Sequence, residues 1–505
     1  MKPSRWYAIL FLCLLLCSLV PYQVSAQGLT ISTTLDFDTV EHYVQAEMEA
    51  VGIPGLALAI IQGDKVVYQK GFGIAGPSGQ SVTPQTPFNI GSVSKTFTAL
   101  AVMQLVEAGK LKLDAPVQRY LPWFRVADAD AASKITVQDL LNHTSGLSNA
   151  AGNDYPEKDN SSASALEERV RFLSNTPLNR PAGSGHEYSN ANYDVLGLIV
   201  QVVSGQSYEM YIQQNIFEPL EMNNSFSLQD EARKFGLATG YRMWFGLPFP
   251  YRELAPRAHL PSGQQTSSVE DLTHLFSAYL NDGHYQNNTI LSAAGLYTMQ
   301  NTPVSSGVNC ATYSMHWSHS SRCETSTLGM GGDTANFKAR ILLSPEDKLA
   351  VILLMNTQAV GINGPRQEQI KDGIWSLLSG ETPTSSSPHN IQILGSMIFI
   401  ALGTLLFFIG LLRFIARQQR PKDSRSGKSP KAGRQIILPL VFDILWVLLL
   451  AGLVQIAAGS RSSSPLSFML ENIPDLGWMI VLSASFVLGW GLLRTILILI
   501  KASRD

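Results

Sequence analysis

At 505 residues the chain exceeds the usual size of a single core, so its length asks for more than one kind of region. A formal net charge of −2 gives no sign of a nucleic-acid partner. No internal repeat is visible that would indicate a solenoid or propeller.

The first 26 residues, MKPSRWYAILFLCLLLCSLVPYQVSA, set Lys2 and Arg5 ahead of an apolar run and small residues before Gln27. That is the pattern of a secretory signal peptide cleaved after Ala26; an uncleaved anchor is the alternative. Cys13 and Cys17 lie within the apolar run, without the small-residue setting of a lipoprotein site, and leave with the peptide. GLALAIIQGDKVVYQKGFG at 55–73 and FKARILLSPEDKLAVILLMN at 337–356 read as strand pairs, with alternating or continuous apolar runs about short turns.

GSVSKTF at 91–97 places Ser92 three residues before Lys95, and on a helix such side chains share a face, about 5–6 Å apart at Cβ. The text that follows, KTFTALAVMQLVEAG, has apolar residues at helical spacing and Gly109 as a stop. Ser92 therefore belongs at the positive end of a helix dipole, where a developing oxyanion is favoured. Further on, Tyr188-Ser189-Asn190 supplies a phenol able to act as a base. Together these are the parts of a serine hydrolase that lacks a catalytic histidine. Either cluster alone would equally describe an ordinary helix start or turn.

After residue 380 comes a short Ser/Pro-rich linker, ETPTSSSPHN at 381–390. Three apolar stretches follow within 391–505, near 391–412, 436–458 and 476–500, each long enough to span a hydrocarbon core. The segment between the first two is strongly basic, with Asp423 its only acid, so it is expected in the cytoplasm. The region before the spans is then outside, in agreement with the signal peptide, and the chain is a multi-pass cell-membrane protein. Arg494 is expected to snorkel to the interface; Asp443 lies deeper and is expected to face other helices or a protein partner, whose identity the sequence leaves unknown.

In order and content, five blocks resemble the β-lactamase-related serine hydrolases: class C β-lactamases, low-molecular-weight penicillin-binding proteins, D-aminopeptidases and esterases. They are TPFNIGSVSKTFTALAVMQLVEAGKLKLDAPVQRYLP at 86–122, ITVQDLLNHTSGL at 135–147, YSNANYDVLGLIVQVVSGQSYEMYIQQNIFEPLEM at 188–222, PSGQQTSSVEDLTHLFSAYLNDG at 261–283, and the strand pair around SPEDK at 344–348. The resemblance covers roughly residues 38–380 and implies a hydrolase domain over 27–380. The implied fold is α/β (α+β), an antiparallel sheet flanked by helices with a mostly helical region inserted, here followed by three transmembrane helices.

The same resemblance assigns roles. Ser92 would form the acyl-enzyme, Lys95 and Tyr188 would share its proton, and Asn190 would sit beside the lysine and the substrate amide. A tyrosine titrating near pH 10 needs a neighbouring cation such as Lys95 to be a usable base. His143, in the block at 142–147, would be structural. At the third motif, where relatives carry Lys-Thr-Gly or His-x-Gly, this chain has Met330-Gly331-Gly332, so the cation is missing. Backbone N–H groups of Ser92 and Asp333 would form the oxyanion hole. No metal and no cofactor is implied. Cys310 and Cys323, alone in the exported region, favour a disulfide in an oxidising compartment; a zinc site with His316 and His319 is the alternative.

The leading functional expectation is a membrane-anchored hydrolase of a small peptide, amide or ester, such as a cell-wall peptide ending in D-amino acids. The alternatives are an esterase with little β-lactam activity, or a catalytically weak binding or sensor protein that signals through the spans.

Overall fold

A computed structural model of the chain describes residues 36–155, 160–306, 311–319, 327–359, 363–383, 391–418, 432–458 and 464–502. The expected signal peptide, Cys310 and Cys323, and most of the 381–390 linker lie outside these.

Helix α1 (Phe37–Val51) opens on Asp36, whose carboxylate accepts from the Thr39 N–H, and ends at Gly52, whose φ of 83° only glycine adopts easily. Its inward residues, Val40, Val44, Met48 and Val51, recur at helical spacing. The hairpin β1 (Gly55–Gln62) and β2 (Lys65–Gly73) follows. Helix α2 (Ser94–Glu107) is buried on nearly every side, which explains why it carries almost no polar stripe. The inserted helical region then contains α3 (Asn190–Ser204), a small hairpin β3 (Tyr241–Trp244) and β4 (Leu247–Pro250), and α4 (Val269–Leu280).

Edge strands β5 (Val304–Ser305), β6 (Thr312–Ser314) and β7 (Trp317–His319) lead to β8 (Leu328–Asp333), β9 (Lys338–Ser344) and β10 (Leu349–Met355). A short β11 (Thr357–Gln358) runs parallel to β3, and α5 (Gly364–Leu378) completes the domain. Among the described residues the main sheet has eight strands in the order β2-β1-β10-β9-β8-β7-β6-β5, antiparallel throughout.

Alternation along β1 divides two cores. Ala57, Ala59 and Ile61 face inward with Ile341, Ile352 and Leu354 against Phe97, Leu196 and Phe276 of α2, α3 and α4. Leu56, Leu58 and Ile60 face outward with Val351 and Leu353 against Val40, Val44, Ile370 and Ile374 of α1 and α5. Strand β10 is therefore covered on both faces and buried at every position. Each large apolar side chain so enclosed contributes roughly 1.5–3 kcal/mol. This is the β-lactamase/transpeptidase-like layout that the resemblance implies, and both strand pairs read from sequence are present.

Three long helices follow, α6 (Ile391–Gln418), α7 (Ala432–Ala458) and, after the short α8 (Pro465–Asn472), α9 (Pro474–Ala502). They contain apolar stretches at Ile393–Ala416, Pro439–Ile456 and Pro474–Ile500 with mean hydropathy 2.4, 2.2 and 1.9, long enough to cross a membrane. Polar side chains meet between them: Thr404 and Ser483 hydroxyls lie 2.6 Å apart, and Trp446 Nε1 donates to Ser483. The Arg494 guanidinium donates to Asp443 at 2.5 Å, so the deeper carboxylate faces another helix as expected, and pairing relieves two charges that would otherwise each be alone among apolar helices.

Candidate active site

Ser92 occupies a tight turn, Gly91–Val93, that runs directly into α2. Gly91 has φ of 52°, and its N–H donates to Asn89 Oδ1 at 2.8 Å; the Ser94 hydroxyl donates back to the Gly91 carbonyl at 2.7 Å. The turn is thus pinned from both sides, and Ser92 is presented at the start of the helix.

Lys95, 1% exposed, lies one turn on. Its Nζ contacts Ser92 Oγ at 3.1 Å, Asn190 Oδ1 at 2.8 Å and the Ser262 carbonyl at 2.5 Å. The Tyr188 hydroxyl donates to Ser92 Oγ at 2.7 Å, and Lys95 Nζ sits 4.8 Å from the centre of its ring. Three residues from two distant segments therefore meet at one oxygen, and Asn190, at the first position of α3, holds the lysine from above.

Burial acts on both partners in the same sense. It pushes the Lys95 ammonium down to about 7, with Asp194 opposing the shift. It pushes the Tyr188 phenol well up, only partly offset by the Ser92 hydrogen bond. A lysinium–tyrosinate pair, expected from the reasoning that the cation makes the phenol usable, is therefore the disfavoured arrangement. A neutral amine beside a protonated phenol is favoured, so the amine can take the Ser92 proton and the phenol can give one.

Behind the lysine lies a buried network that the sequence reading did not single out. Asp194 stands four residues after Asn190 on the same face of α3. Burial alone would raise its carboxyl, but His259 at 3.0 Å and Arg169 at 3.1 Å hold it below the usual range. The i, i+4 spacing from Asn190 was a usable signal for Asp194; nothing local marks Arg169. Ser262 acts through its carbonyl, and its place in the block at 261–283 was the sole clue.

His143 makes no hydrogen bond to Ser92, Lys95 or Tyr188 among the described residues. Its Nδ1 accepts from the Ser189 N–H and lies 2.9 Å from Asn192, while its ring packs on Tyr188 at 4.4 Å. Burial first, then Lys95 and His186, drive its imidazole far below the usual range, so it is a neutral support for the phenol.

Strand β8 closes the site. A Cβ on Gly332 would lie 1.8 Å from the Ile90 carbonyl and 3.0 Å from the Ser92 nitrogen, and one on Gly91 would lie 2.7 Å from the Asp333 nitrogen. The two glycines let strand and turn touch beside the backbone nitrogens of Ser92 and Asp333. Met330, 8% exposed, points inward with Gly332, and its sulfur accepts from the Thr96 hydroxyl at 3.1 Å. Gly331 faces the other way, where a Cβ would meet Arg340 at 2.9 Å. The Asp333 side chain also lies on that side, paired with Arg340 at 3.0 Å and Lys338 at 3.3 Å.

Fold and cluster are those of serine hydrolases in which an amine and a phenol stand where others have histidine. The family profile described as Beta-lactamase matches residues 40–370, and the chain belongs to that family. It is 34% identical over 253 residues to penicillin-binding protein 4 of Amycolatopsis lactamdurans, a match covering 49% of this chain and 65% of that protein, just under two thirds of its length. It is 26% identical over 484 residues to protein flp of Staphylococcus aureus (strain MRSA252), covering 94% of this chain and 92% of that one. Among solved structures, EstCE1, described as a hydrolase with promiscuous acyltransferase activity, superposes with a TM-score of 0.59 at 26% identity, covering 67% of this chain and 98% of its own.

Proposed function

We propose that this chain is a membrane-anchored, extracytoplasmic serine hydrolase that cleaves an amide or ester through an acyl-enzyme on Ser92, with a D-amino-acid-containing cell-wall peptide as substrate class. The observation that carries it is Ser92 Oγ held between Lys95 Nζ at 3.1 Å and the Tyr188 hydroxyl at 2.7 Å. Neutral Lys95 takes the hydroxyl proton as Oγ bonds the carbonyl carbon, and the oxyanion is met by the backbone N–H groups of Ser92 and Asp333. The bond to the leaving group then breaks, and Tyr188 protonates the departing nitrogen or oxygen, its own proton being restored from Lys95. Water repeats the sequence on the acyl group and frees Ser92. Similarity to a penicillin-binding protein supports the substrate class, and the three apolar helices support the anchoring.

A second reading, an esterase with little β-lactam activity, is favoured by Met330 standing where relatives have a cation and by the likeness to EstCE1. Covalent labelling by a fluorophosphonate or a fluorescent penicillin tests the common core. Ser92→Ala should abolish labelling and turnover while the fold is retained by circular dichroism; a fully active variant sinks the assignment. Absence of labelling in the unmodified protein favours the catalytically weak sensor instead.

A further inference from the structure

The β3–β4 hairpin has no place in the chemistry above, yet its composition is unusual for a surface loop. Residues 243–251 read MWFGLPFPY, without a charge. Trp244 is 38% exposed, Phe245 56%, Leu247 61% and Phe249 51%. The connecting residues Phe245 and Gly246 both have positive φ, 50° and 81°, the two-residue turn in which Asn or Gly is the comfortable choice at the first position. A phenylalanine there is locally unfavourable, and its ring is more than half exposed, so its presence is not explained by packing.

The tip is also fixed in depth. The Phe245 N–H donates to Asp475 Oδ2 at 3.3 Å, and Asp475 lies in the first turn of α9, whose apolar stretch begins at Pro474. The hairpin thus meets the span where that span would enter the hydrocarbon. Trp478, one turn further along α9, is 42% exposed, as suits the aromatic belt of a membrane boundary.

We infer that the β3–β4 hairpin is a second membrane contact, with Trp244, Phe245 and Leu247 seated in the boundary between headgroups and acyl chains beside the hydrolase-side end of α9. The inference rests on the proposed reading of α9 as a membrane span. Apolar surface that is a liability in water is satisfied there, and the tryptophan ring suits the boundary region. The contact reaches the catalytic side as well: the Asn336 amide donates to the Tyr251 carbonyl at 2.7 Å, and the Ala335 N–H to Glu253 at 3.2 Å. Those bonds tie the strand returning from the tip to the turn after the third motif, so the hairpin sets the height of the cleft above the lipid.

The test uses the full-length chain in nanodiscs of phosphatidylethanolamine and phosphatidylglycerol, with photoreactive benzoylphenylalanine placed singly at position 247, 448 or 297. Leu448 is an exposed position of α7 and reports spanning; Tyr297 is exposed on the hydrolase domain. Lipid adducts counted by mass spectrometry should be within fewfold of each other at 247 and 448 and at least tenfold scarcer at 297. Adducts at 448 without adducts at 247 overturn the inference and leave the spans standing. No adducts at 448 overturn both. Equal adducts at all three positions, or cross-links from 247 to a second copy of the chain in place of lipid, also overturn it, the latter making the tip a face between copies.

Discussion

On the proposed mechanism Lys95 is the residue on which the chemistry turns, because burial brings its ammonium down to about 7. An amine acts as a base only when unprotonated. Acylation should therefore be at its plateau above about pH 7 and fall about tenfold per unit below it. The measurement is the labelling rate or kcat/KM of an ester from pH 5 to 9; a flat profile, or one still rising at pH 9, would remove Lys95 as the base. On the same proposal Met330 governs a different property. A cation at that position would give a substrate carboxylate a charge-assisted hydrogen bond worth roughly 1.5–3 kcal/mol, or about one to two orders of magnitude in affinity. Uncharged esters and blocked D-amino-acid amides should accordingly be turned over better than β-lactams, and Met330→Lys should shift the preference toward carboxylate-bearing substrates. An unmodified domain that hydrolyses cephalosporins efficiently would refute this. Ser92 and Lys95 were legible because helical spacing alone makes them neighbours. Tyr188 was legible only through the surrounding family text, since its partner lies 96 residues away. The direction of proton flow was not, because it depends on how deeply both groups are buried.

At the scale of elements, strand β8 against the Ser92 turn is the contact least tolerant of change. Gly332→Ala would set a methyl 1.8 Å from a backbone carbonyl, which can be relieved only by parting the strand from the turn. Gly331→Ala meets the Arg340 guanidinium at 2.9 Å, a side chain that must loosen its bonds to Asp333 and Glu368 to make room while the strand stays in place. The first variant should lose at least about a hundredfold in labelling rate and about 1–3 kcal/mol in stability, in keeping with overpacking of a rigid site. The second should cost stability through the loosened Arg340 pairs but lose far less labelling rate than the first; equal losses of labelling rate in the two variants would contradict the geometry. Sequence patterning found the long elements, α2 and the hairpins at 55–73 and 337–356, where periodicity has room to show. It did not find β5, β6 and β7, which are two or three residues long and belong to the sheet only through pairing with β8 and one another.

For the whole molecule, the basic segment between the first two spans, with eight Lys and Arg from Arg413 to Arg434, argues the orientation. A reporter active only in the cytoplasm should work when fused at position 425 and fail at 385; the reverse would invert the proposed topology. The three long apolar helices were legible from length and apolarity. The pairing of Asp443 with Arg494 was not, because a side chain long enough to snorkel gives no local sign that a partner waits on another helix.

The main sheet also imposes an order on biosynthesis. Leu56 of β1 pairs with Met355 of β10, so the first hairpin waits for a partner roughly 300 residues downstream, a closure whose entropy alone costs about 5 kcal/mol. Until β10 has emerged, β1 and β2 have no sheet to join, although α1 and α2, which cover part of their apolar faces, are already made. Helix α6 begins only about 35 residues after β10 ends, well under the length of one small domain. On the proposed topology the sheet therefore cannot close until the first span is itself close to entering the bilayer.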